Sequence, residues 1–168
     1  MNYRRLGNSN LQVSALCLGT MMFGDQTEAV EAQRIVASAR ERGVNFIDTA
    51  DVYTKGASER IVGQCLDGNR HDWVLASKHG NAMGEAPNMS GYSRTWIMRA
   101  VDDSLRRLGT DYLDLYQLHW PDRRVRVFGG QTFKDYSLEF ESFGDILLGL
   151  LLAMDRVNGL LLDGAIGE

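Results

Sequence analysis

A short apolar run, a loop and an amphipathic helix recur in that order through the first two-thirds of the chain. No other feature constrains the fold as much, because strands that alternate with helices assemble into a parallel sheet joined by right-handed crossovers. The spacing predicts strands over residues 16–20, 44–48, 73–77 and 113–119. The first helix is expected over 28–42, with Thr27 as its cap, Val30, Ile35, Val36 and Ala39 turned inward and Gly43 as its stop. A second helix, capped by Ser58, runs through Ile61, Val62, Cys65 and Leu66 and ends at Gly68. A loop over 79–92, rich in Gly, Asn, Met and Ser, leads to a third helix capped by Ser93. Its Ile97, Val101, Leu105 and Leu108 share one face, and Gly109 stops it. Ahead of all this, two short strands within residues 2–15 flank Asn8-Ser9-Asn10 and read as a hairpin. A doubly wound sheet and a (β/α)8 barrel both fit the pattern.

Composition narrows the setting. A chain of 168 residues has room for one domain and is short for two. Its 44% apolar and 24% charged residues are ordinary for a soluble globular protein. A net charge of −4, with scattered arginines, lacks the basic footprint that nucleic-acid binding needs. The longest apolar run, residues 146–154, is about half of what spans a bilayer, so no membrane partner is expected. The amino terminus, MNYRRLGNSN, lacks the apolar core of a secretory signal, which makes a cytoplasmic location the expectation. Cys17 and Cys65 lie in apolar segments and read as buried thiols, and no CxxC or Cys/His cluster points to a metal.

The chemistry is expected at the carboxyl ends of the strands, where parallel α/β folds keep their catalytic groups. Asp48 ends the second strand and Tyr53 follows five residues on, while Lys78 ends the third strand and His119 the fourth. Taken singly, each has an ordinary structural reading as a turn carboxylate, a packed ring, a rim charge or a satisfied imidazole. Four ionisable groups of different type on one rim have a joint use. A phenol exchanges its proton readily near neutral pH only when a cation stabilises the phenolate, which Lys78 can do. Asp48 can hold Lys78 in place, and His119 can donate to a developing oxyanion. Such a set protonates a carbonyl oxygen while hydride reaches its carbon, and because no side chain supplies hydride a nicotinamide cofactor is implied.

These residues sit in stretches that resemble the aldo-keto reductases. The matching segments are YRRLGNSNLQVSALCLGTM, GVNFIDTADVY, SER-IVG, VLASKHG and SLRRLGTDYLDLYQLHWPD, in order over residues 3–122. The resemblance implies a (β/α)8 barrel that reduces aldehydes or ketones with NADP(H). It implies Tyr53 as proton donor, Lys78 and Asp48 as the groups that tune it, and His119 as the group that orients the carbonyl. It implies that Gly19, Thr20 and Met21, together with Asp48, bind the cofactor, and that the hairpin plugs the bottom of the barrel. The turn after the first strand reads GTMMFGD, without the GxGxxG of a dinucleotide-binding doubly wound sheet.

A full barrel of this kind takes about 250 residues. The expected fold is therefore an incomplete (β/α)8 barrel, its first four β/α units preceded by the hairpin. Residues 1–122 form the aldo-keto reductase-like half-barrel and 123–168 a divergent tail, with a strand at 124–128 and a helix at 146–154 as candidates. Two functions follow: a carbonyl reductase acting on a small-molecule substrate, or a truncated, inactive fragment or binding module unable to hold cofactor alone. Unpaired strand edges in a half-barrel invite pairing with a second copy, so a homo-oligomer is also expected.

Overall fold

The computed structural model describes residues 1–119. The expected boundary at 122, the strand at 124–128, the helix at 146–154 and the divergent tail lie outside the described residues. Among those described, the elements are β1 (Tyr3–Arg5), β2 (Gln12–Ser14), β3 (Leu18–Gly19), α1 (Ala29–Glu41), β4 (Phe46–Asp48), α2 (Ala57–Leu66), β5 (Val74–His79), α3 (Arg94–Leu108) and β6 (Leu115–Leu118). β1 and β2 form the predicted antiparallel hairpin, with Arg4 opposite Val13. The remaining strands form one parallel sheet in the order β3-β4-β5-β6, so each helix is a crossover between adjacent strands.

Alternation of side chains along the strands divides the sheet into two faces. Ile47, Leu75 and Tyr116 point to the helices and are at most 7% exposed. They pack with Val36, Val62, Leu66, Ile97, Val101 and Leu108 in one core. Burying each large aliphatic side chain there contributes about 1.5–3 kcal/mol. Asp48, Lys78 and Gln117 share the opposite face, as the registers Asp48↔Ala76 and Lys78↔Gln117 require.

The hairpin docks at the amino-terminal end of the sheet. Asn45, just before β4, accepts from the Ser14 amide at 2.7 Å and donates to the Gln12 carbonyl at 2.9 Å. Asp48 and the rim lie at the far end of the same strand.

Two predicted caps are corrected. Glu28, not Thr27, occupies the start of α1 and makes no side-chain cap bond. The Thr27 backbone is already engaged in a turn, its amide to the Met22 carbonyl and its carbonyl to the Gly24 amide. Val30 is 63% exposed, because the buried stripe of α1 runs through Ala32 and Val36. Ser58 does not cap α2 but lies inside it, fully buried. The chain enters α2 through Gly56 at φ +83, which starts the helix ahead of Ser58. Ser93 does cap α3, its oxygen accepting from the Trp96 amide, and Gly109 ends that helix at φ +64. Cys17 is exposed and Cys65 half-buried, so neither is the buried thiol expected. Cys17 lies just before the outer strand β3, where no further strand among the described residues covers it.

Candidate active site

The registers bring three of the four predicted groups to one face before any side-chain contact is considered. Asp48 is level with Ala76, Lys78 is two residues further along β5, and His119 is two beyond Gln117, which pairs with Lys78. The His119 amide donates to the His79 carbonyl at 2.9 Å and extends the ladder by one rung. Tyr53 arrives from the 3-10 turn after β4. That turn carries two left-handed non-glycine residues, Thr54 at φ 49 and Lys55 at φ 50. Each costs on the order of 1 kcal/mol or more, and such residues persist where their surroundings hold them. Here the Thr54 hydroxyl donates to the Phe23 carbonyl at 3.1 Å and ties the turn to the loop after β3.

The four side chains meet. Lys78 Nζ donates to Asp48 Oδ2 at 2.5 Å, to the Thr49 carbonyl at 2.8 Å and to the Tyr53 hydroxyl at 3.1 Å. The Lys78 and Asp48 side chains are 15% and 25% exposed, so the pair is largely withdrawn from water yet open at the rim. The Tyr53 and His119 rings meet edge to face, their centroids 5.7 Å apart. Burial, aided by the Lys78 ammonium, holds the His119 imidazole below its ordinary pKa and so favours the neutral ring. Tyr53 also walls an open pocket of about 460 Å³ with Met21, Met22 and Val52.

The predicted cofactor turn divides. Gly19 is level with Asp48 on the same face, and a Cβ built on it meets no atom of the described residues within 4 Å. Met21 is 60% exposed. Thr20 is different, being 1% exposed with all its polar groups engaged. Its amide and hydroxyl both donate to the Asp48 carbonyl at 3.0 Å, and its own carbonyl accepts from Ser58 Oγ at 2.8 Å. Thr20 thus anchors β3 to β4 and α2.

Sequence reasoning missed several residues around the site. Gln117 donates to Asp48 Oδ1 at 3.2 Å, and Asn81 Nδ2 lies 3.0 Å from His119 Nδ1. Behind the sheet, fully buried Glu59 accepts from Arg107 at 2.5 Å and from Ser77 at 2.6 Å. Its signal was a carboxylate on the apolar stripe of α2, three residues before Val62. Asp51 is fully buried, with neither carboxylate oxygen hydrogen-bonded among the described residues. Burial, then the Glu59 charge, raises its pKa to about 7. His79, predicted in the loop, ends β5 with its ring stacked on Tyr116, and burial lowers its pKa to about 4. Among the described residues no cluster of His, Cys, Asp or Glu is arranged to hold a metal, and no helix is long and apolar enough to cross a membrane.

Comparison with known proteins agrees with this architecture. The Aldo/keto reductase family model matches residues 15–166 and so extends past residue 122. Protein tas of Escherichia coli is 41% identical over 143 residues, covering 77% of this chain and 41% of the relative. The uncharacterized oxidoreductase YqkF of Bacillus subtilis is 45% identical over 121 residues, 71% of this chain and 39% of the relative. A probable voltage-gated potassium channel subunit beta of Arabidopsis thaliana is 41% identical over 131 residues, 76% and 40% of the two chains. Among solved structures, an aldo-keto reductase from Bacillus halodurans in its holo form superposes with a TM-score of 0.74 at 36% identity, covering 94% of this chain and 48% of that one. The chain spans about two-fifths of the length of the curated relatives it matches. Its described residues make up the amino-terminal hairpin and three β/α units followed by a fourth parallel strand, short of the four full units expected because the described residues end at 119, as in part of a (β/α)8 barrel. By family match, sequence and fold together, the chain belongs to the aldo/keto reductase family.

Proposed function

We propose that the protein is an oxidoreductase that reduces the carbonyl group of a small aldehyde or ketone with NADPH, and that Tyr53 is its proton donor. The observation that carries this reading is the Lys78 ammonium, within hydrogen-bond distance of both the Tyr53 hydroxyl and the Asp48 carboxylate. Tyr53 gives its proton to the carbonyl oxygen. Lys78 stabilises the phenolate left behind, and Asp48 keeps the ammonium directed at it. His119, as a neutral ring, donates a hydrogen bond to the same oxygen as negative charge builds on it.

The rim residues fit the nicotinamide end of such a nucleotide. The donor set moves protons and has no source of hydride, and among the described residues the turn at Gly19 leaves open space beside Asp48. Gly19 and Met21 would flank the ring, which when bound supplies the hydride. The Bacillus halodurans relative, described in a holo form, is in keeping with a bound cofactor.

Titration of the chain with NADPH, followed by tryptophan fluorescence, tests the reading. Trp73 and Trp96 are both buried in the fold. Saturable quenching in the micromolar range is the expected result, and the absence of any response at millimolar NADPH overturns the proposal.

A further inference from the structure

We infer that Asn81 is a positioning residue: its side-chain amide donates to Nδ1 of His119 and so fixes the hydrogen on Nε2, the nitrogen that donates to the substrate oxygen in the proposed reaction. This rests on the reading that His119 donates to the carbonyl.

The two atoms lie 3.0 Å apart, and the backbone on both sides is held. On the His119 side, its amide donates to the His79 carbonyl at the end of the β5–β6 ladder. On the Asn81 side, Gly80 turns the chain out of β5 at φ +128. A Cβ there would lie 2.4 Å from the hydroxyl of Tyr92, which is 6% exposed. The Gly80 carbonyl accepts from the Gly91 amide at 2.9 Å, closing the base of the loop. Only glycine fits this turn, and the turn delivers residue 81 beside the end of the neighbouring strand.

A neutral imidazole has one donor nitrogen and one acceptor, so a bond at one nitrogen decides the other. The surroundings of His119 favour the neutral ring. With Nδ1 accepting, Nε2 carries the hydrogen and can stabilise an oxyanion. With the opposite tautomer, Nε2 presents a lone pair to the substrate oxygen and repels it. Asn81 thus acts through His119 and touches no reacting atom.

The test is the histidine side-chain nitrogen chemical shifts of the full chain without cofactor, at a pH where the imidazoles are neutral. The His119 signals are assigned by their loss in His119→Gln. The expected spectrum shows a bare Nδ1 and a protonated Nε2 in the parent chain. In Asn81→Leu both nitrogens are expected to move to averaged values, and kcat for carbonyl reduction to fall roughly 10²-fold, the scale of losing one oxyanion donor, at unchanged NADPH affinity. A hydrogen on Nδ1 in the parent, or an Asn81→Leu spectrum identical to it, overturns the assignment. Because the spectrum needs no turnover, a chain with the expected tautomer that reduces no carbonyl refutes the proposed function and leaves this assignment standing.

Discussion

The Nζ of Lys78 lies 3.1 Å from the hydroxyl of Tyr53, although 25 residues separate them and they come from different β/α units. The register between β4 and β5 creates that contact, since it sets Lys78 one pleat beyond Asp48 on a shared face. Lys78→Met keeps the length of the side chain and removes its charge. The expected outcome is a loss of roughly 10²–10⁴ in kcat, the range of general acid–base catalysis, with NADPH affinity nearly unchanged. Steady-state kinetics with NADPH and an aldehyde checks it, and a variant with parental kcat contradicts the role given to Lys78.

Glu59 is held behind the sheet by Arg107 and Ser77, with no exposure of its own. Arg107→Met strands that carboxylate in the core. Urea unfolding is expected to show a loss of roughly 3–5 kcal/mol, the cost of removing one partner of a buried pair. A loss well under 1 kcal/mol would mean that the pair is solvated.

Helix α2 packs against the end of α3 at Gly63, where a Cβ would stand 2.3 Å from the Leu108 carbonyl oxygen. The obstacle is backbone, so it cannot swing aside. Gly63→Ala is expected to cost about 1–3 kcal/mol or more even though alanine is the better helix former. Thermal unfolding distinguishes this from the slight stabilisation expected of an unobstructed helical glycine.

Asp51 links stability to pH. Its folded pKa is raised from 3.8 to about 7, so its contribution is fully present below pH 3.8 and is lost as pH rises through about 7. His79 runs the other way: lowered from 6.5 to about 4, it contributes above pH 6.5 and loses that contribution as pH falls through about 4. Between those limits the two trends oppose each other in the parent chain. Asp51→Asn removes the opposing trend and leaves that of the lowered imidazoles, His79 and His119. The variant is expected to be more stable than the parent at alkaline pH, by roughly 2 kcal/mol, and to weaken more steeply on acidification. Denaturation midpoints across pH check it, and identical pH profiles for the two chains contradict it.

How much of this was legible in the sequence follows the reach of each signal. Strand ends and helical periodicity are local, so the four rim residues, the Ser93 cap and the apolar face of α3 could be read directly. Ser58 looked like a cap because it precedes an apolar stripe; its true role depends on Thr20, 38 residues away. Thr20 was a cofactor contact by family resemblance alone, and no local signal showed that its polar groups would also tie β3 to β4 and α2. Gln117 and Asn81 are neutral amides whose use appears only when β5 and β6 are side by side. His79 stood next to the glycine of a loop, and nothing local indicated that its ring would be buried against Tyr116.

The central claim is that the hydroxyl of Tyr53 supplies the proton that completes carbonyl reduction. Tyr53→Phe removes one oxygen atom and keeps the ring. NADPH oxidation in the presence of an aldehyde, measured for the parent and this variant, tests the claim most directly. The account predicts turnover by the parent and a loss of at least roughly 10²-fold in the variant, with NADPH affinity and unfolding midpoint retained. Parental activity in Tyr53→Phe, or no turnover by a parent chain shown to bind NADPH, contradicts it.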